Sequence, residues 1–101
     1  MVYDPGALNA SLSAAVGSDP ELVAELRSAF VESAARQSDF MSRSRCDANW
    51  LNAAARLKSL AASFGALGLL ELADEAIEGA PGDPVVLRKI KQALEDFTVA
   101  H

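Results

Sequence analysis

This sequence predicts an all-α fold, an antiparallel up-down four-helix bundle with a short additional helix at its N-terminal end. Three observations carry that expectation. Three of the four prolines follow an Asp, at Asp4-Pro5, Asp19-Pro20 and Asp83-Pro84. Asp can accept from the free amides of a first helical turn, and Pro at the first helical position gives up a donor that would have no partner there. Half of the chain is apolar while only 6% is aromatic, with much Ala and Leu and few β-branched runs, a composition that suits helices. The apolar residues also recur at spacings of three and four instead of alternating.

A chain of 101 residues can enclose one core and is too short for two. Residues 1–101 therefore read as one domain, with 1–17 as the short leading helix and 18–99 as the bundle. In the first segment, Pro5 to about Val16, Leu8, Leu12 and Val16 recur at four-residue spacing and Gly17 ends the run. Alone it would be a marginal helix, so it is expected to lie as a lid on the others.

The second helix runs from Asp19 to about Ser42, where Ser18 and Glu21 could add a capping box. Leu22, Leu26, Phe30 and Ala34 form an i, i+4 stripe, with Val23, Val31 and Met41 beside it and Phe40 in the last turn. The connection Ser42 to Cys46 is polar and carries Arg43 and Arg45, and Asp47 is expected to cap the third helix. So short a connection makes the chain double back.

The stretch Asn49 to Ala66 is the third helix. At about 100° per residue, Trp50, Ala53, Leu57, Leu60 and Phe64 share one arc, flanked by Ala54 and Ala61, and this arc should face the core. Ala55 lies opposite, on an outer face shared with Ala48, Leu51, Asn52, Lys58, Ser59 and Ala62. After Gly65 comes a second apolar run, Leu67 to Ile77, expected to be buried on two sides and wetted along Glu71, Asp74, Glu75 and Glu78. Gly79-Ala80-Pro81-Gly82 is a turn by composition. The last helix starts at Asp83-Pro84 and runs to about Val99, with Val86, Ile90, Ala93, Leu94 and Phe97 on one face and Arg88, Lys89 and Lys91 away from it.

Several kinds of function find no support in these residues. A formal net charge of −5 argues against non-specific binding to nucleic acid or to an anionic membrane. No apolar run reaches the roughly 18 residues of a membrane span, and the N-terminus lacks the pattern of a signal peptide. With Cys46 the lone cysteine and His101 the lone histidine, no disulfide, thiolate metal site or Ser-His pairing within the helices can be assembled. The acidic residues of the fourth helix read as a solvated face, and Trp50 as a core anchor instead of a stacking platform. We expect a cytoplasmic protein that is not an enzyme, with no metal and no cofactor.

The third helix resembles the central helix of histidine-containing phosphotransfer domains, whose pattern is roughly A-H-x-L-K-G-x-x-x-x-x-G-A. Ala54, Leu57, Lys58, Gly65 and Ala66 fit that spacing, and Ala55 stands where the phosphorylated His would be. The likeness extends from Asp19 to about Phe97, through Phe30, Asp47 and Trp50. It implies a four-helix bundle that, in bacterial two-component signalling, exchanges a phosphoryl group with the aspartate of a receiver domain. Carried over, Ala55 takes the His position, Lys58 the nearby cation, and Ser59 the small residue, usually Gly, beside which the receiver approaches.

Ala55 has no nucleophile, so the chain as it stands cannot carry phosphate there. The expectation is a non-catalytic signalling module that docks a response-regulator receiver domain, or a protein related to histidine kinases, through Leu51, Asn52, Ala55, Arg56, Lys58, Ser59 and Ala62, as a monomer rather than a dimer. Two alternatives stand beside it: a true phosphotransfer protein in which a His has been replaced at position 55, and a structural module that self-associates through the exposed Leu51, Ala55 and Ala62 strip.

Overall fold

The computed structural model describes residues 5–17 and 19–99. Asp4 before the first helix, Ser18 in the capping box of the second, the side chain of Leu8 and the terminal His101 lie outside the described residues. Those residues form five helices in the order α1 (Pro5–Val16), α2 (Pro20–Arg43), α3 (Asp47–Phe64), α4 (Leu67–Glu78) and α5 (Pro84–Val99), with no strand among them.

The two Asp-Pro starts within the described residues, at Asp19 and Asp83, work as their chemistry predicts. Asp19 Oδ1 accepts from the N–H groups of Glu21 at 3.0 Å and Leu22 at 3.4 Å, with Pro20 in the first turn. Asp83 Oδ1 accepts from Val85 N–H at 2.9 Å ahead of α5. The third helix begins differently from the expectation. Cys46 occupies the cap position without a side-chain bond, and Asp47 falls inside the first turn, where its charge still faces the positive end of the helix dipole.

Each of α2, α3, α4 and α5 packs on two others, in the cyclic order α2, α3, α4, α5 and back to α2, while α1 lies against α2 and α3. The core they enclose has Phe30, Trp50, Met41, Leu57, Leu69, Leu72, Ile90 and Phe97 among its largest side chains. Phe30 stands between Phe64, with ring centroids 5.0 Å apart, and Phe97, met edge-on at 5.7 Å. These contacts tie α2, α3 and α5 together through aromatic geometry that is worth more than area alone. The apolar face expected of α5 is buried throughout, from Val86 to Phe97.

Periodicity overreached at Leu22 and Leu67. Leu22 is 37% exposed because α2 has 24 residues against 18 in α3 and 16 in α5, so its first turns have less to pack against. Phe40 and Leu67 are exposed as well. Phe40 lies one position off the buried line of Ala34, Ser38 and Met41, and Leu67 is the first residue of its helix.

The joint between α3 and α4 is tight. Gly65 takes φ +70°, the left-handed region that suits glycine, and the chain closes α3 with bonds from Gly65 N–H to Ala62 O and from Ala66 N–H to Ala61 O. Ala66 is thus the cap of α4 and not the end of the third helix, a correction of two residues to the stretch read from sequence.

Candidate functional site

Helix α3 presents two different faces. Its inner side buries Trp50, Ala53, Ala54, Leu57 and Ala61 almost completely. Trp50 is also held by a hydrogen bond, its indole N–H donating to the carbonyl of Ala76 at 3.1 Å. That carbonyl belongs to the last turn of α4, where no intrahelical donor remains to meet it.

On the other side, Leu51, Asn52, Ala55, Lys58, Ser59 and Ala62 are exposed, as the helical register predicted, and so is Arg56 at the edge of that face. Ala55 follows Trp50 by five residues, a rotation of roughly 140° away from the core. Leu60 and Phe64, placed on the core arc by the same arithmetic, are only partly buried, and Phe64 meets Phe30 at the edge of the core.

Around Ala55 the surface forms a shallow depression of about 450 Å³ lined by Ala55, Arg56, Ser59, Leu60 and Ser63. Small side chains make it shallow, and the methyl group at Ala55 offers no nucleophile. The two nearby cations differ in state. Lys58 Nζ is paired with Asp74 Oδ1 of α4 at 2.7 Å. Asp74 accepts its hydrogen bond and attracts its charge, and together these hold the ammonium above the usual lysine range. Arg56 has no ion-pair partner among the described residues. It is therefore the cation at this surface that a partner can claim without breaking an existing bridge.

The acidic side of α4 is divided between neighbours. Asp74 meets Lys58 of α3, and Glu75 meets Lys89 of α5 at 3.1 Å. Glu71 and Glu78 are exposed. Among the described residues, no group of three or more His, Cys, Asp or Glu is arranged to hold a metal ion, and no helix is long and apolar enough to cross a membrane.

A second hollow adjoins the first and was not anticipated from sequence. It holds about 340 Å³ between Phe40, Arg43 and Ser44 at the exit of α2 and Asn49, Asn52, Ala53 and Arg56 on α3. Arg43 is bonded to Asp39 at 2.8 Å, and its guanidinium sits 5.4 Å from the centre of the Phe40 ring. Asn49, Asn52 and Arg56 share one ridge by their spacing of three and four, a signal present in the sequence. What faces that ridge depends on how α2 leaves the core, which periodicity does not reveal.

No protein-family model matches this chain, and no curated protein or solved structure matches it either.

Proposed function

We propose that this chain is a degenerate histidine-containing phosphotransfer domain, a non-catalytic signalling module that docks a response-regulator receiver domain through the outer face of α3 without carrying phosphate. The observation that supports it most is the separation of faces on α3. The core side is complete without position 55, and the outward side keeps a small-residue depression with a free arginine at its edge. On this reading the helices form an antiparallel up-down four-helix bundle with α1 as an extra. Two things favour that: the cyclic packing order, and the bond from Trp50, near the start of α3, to Ala76, near the end of α4. The module is monomeric and cytoplasmic, and it influences a phosphorelay by occupying or positioning its partner.

The test is a calorimetric titration of receiver domains from the source genome, phosphorylated and unphosphorylated, into the chain. We expect at least one to bind tighter than about 1 mM, which corresponds to roughly 4 kcal/mol, and the Ala55→Arg variant to lose that binding while keeping its helical content. Binding by none of them would sink the proposal. Sedimentation over a concentration range separates it from self-association, because a reversible dimer formed through Leu51, Ala55 and Ala62 would cover the same face.

The outward setting of Ala55 also favours a specific second reading, in which a His once stood there. Ala55→His then yields an acid-labile phosphorylated chain when a phosphorylated receiver is supplied. If no transfer occurs, the pseudo-domain reading keeps its place and this one falls.

A further inference from the structure

We propose that the hollow between the exit of α2 and the ridge of α3 is a carboxylate-recognising cleft that seats an acidic segment of a partner protein. The proposal rests on the docking role of α3, which it extends sideways: Arg56 lines both this cleft and the depression around Ala55, so a partner seated on one reaches the other.

The chemistry of the walls points to carboxylates. Two guanidiniums and two carboxamides line the cleft, and none of its lining residues is acidic. A guanidinium is a planar fork of five donors whose geometry matches a carboxylate bidentately. Asp39 engages Arg43 from its own helix at 2.8 Å, and Phe40 lies under the guanidinium. These contacts orient the group and leave donors unspent, since the Arg43 side chain is still 64% exposed. Arg56 has its whole fork available. The asparagine amides supply further donors on the same ridge.

Charge distribution along the chain gives the second line of support, with Arg36, Arg45 and Lys58 adding to the two arginines of the cleft. Residues 36–66 hold five of the nine Lys and Arg residues but only Asp39 and Asp47 of the fourteen acidic ones. That segment carries a local balance of +3, against −8 for the rest of the chain. An acidic partner therefore meets less repulsion along this segment than along the rest of the chain. The dimensions suit a peptide segment better than one small anion. From Asn49 to Arg56 the ridge runs about 10 Å along the helix, long enough for two or more carboxylates in succession.

The experiment is a titration of the ¹⁵N-labelled full chain with a blocked tetraglutamate peptide at low salt, with tetraglutamine as the neutral control and inorganic phosphate as the small-anion control. We expect saturable shifts confined to the amides of Arg43, Ser44, Asn49, Asn52 and Arg56, absent with tetraglutamine. Arg43→Gln and Arg56→Gln should each weaken the affinity roughly tenfold, the loss of one charge-assisted contact. Both side chains are exposed, so circular dichroism should show the fold unchanged. Absence of a saturable shift, shifts centred on Arg88, Lys89 and Lys91, or an equal response to phosphate would each overturn the proposal. No receiver domain enters this titration. Failure here therefore refutes the cleft alone, and failure of receiver docking is read from its own titration.

Discussion

Trp50 and Ala55 sit five residues apart on one helix and answer to different constraints. Trp50 fills the core and supplies the donor that the last turn of α4 lacks, through its bond to Ala76. Trp50→Phe keeps a ring in place and removes that donor, leaving a buried carbonyl unpaired. We expect a loss of about 1–3 kcal/mol, read as a lower urea midpoint with the slope unchanged; a variant as stable as the parent would show that water or another donor reaches Ala76. The packing role of Trp50 was legible in its register with Leu57. Its hydrogen bond was not, because the partner lies 26 residues away in sequence and comes within reach only when α4 ends beside α3. Ala55 was legible in full, since exposure on a helix follows from angle alone. What its methyl group is for does not follow from angle, and there the reading depends on a resemblance.

At the scale of elements, Gly65 decides how α1, α3 and α4 meet. A Cβ placed there would come within 2.6 Å of Ser11 Oγ and 2.8 Å of Ser11 Cβ on α1, so the position is closed by backbone angle and by contact together. Gly65→Ala should destabilise by more than about 1 kcal/mol. Adding Ser11→Gly to it should recover the steric part of the loss and leave the conformational part, a split that thermal melts of the single and double variants can measure; no recovery would mean that α1 moves aside freely. The α3–α4 contact is also tied by Lys58 and Asp74. Because folding raises the Lys58 pKa, the contribution of this pair is complete below the unfolded lysine pKa and disappears as pH rises through the folded one. Stability attributable to Lys58, taken as the difference from Lys58→Met, should be constant from neutral pH into the mildly alkaline range and fade only in strong alkali; a decline already near pH 8 would contradict it. Helix boundaries were readable where Asp-Pro or Gly marked them. They slipped at Asp47 and Ala66, where backbone geometry alone sets the cap and no side-chain signal distinguishes neighbouring residues.

For the whole molecule, the long dimension of 42 Å follows from one element. A 24-residue helix at about 1.5 Å per residue is about 36 Å long, and α2 outruns its neighbours accordingly. The polarity of charge is likewise a property of the whole. Any partner held at the α2–α3 side by carboxylates should bind more weakly as ionic strength rises from about 0.05 to 0.5 M, as the screening length contracts to a few ångströms. An affinity indifferent to salt would assign the contact to the apolar residues Leu51 and Phe40 instead. The charge asymmetry was in the sequence all along, but it gains meaning only once α2 and α3 are neighbours and Arg43 and Arg56 line one hollow.

Trp50 is the single tryptophan of the chain, buried on the inward side of α3 and bonded to the end of α4. That makes the protein its own optical gauge of a particular kind. Indole emission should be blue and should shift red only when α3 and α4 part, so it will follow unfolding faithfully. It should stay silent when a ligand settles on the far side of the same helix. A change in tryptophan emission on adding a partner that itself lacks tryptophan would mean that the core, and not merely the surface, had rearranged.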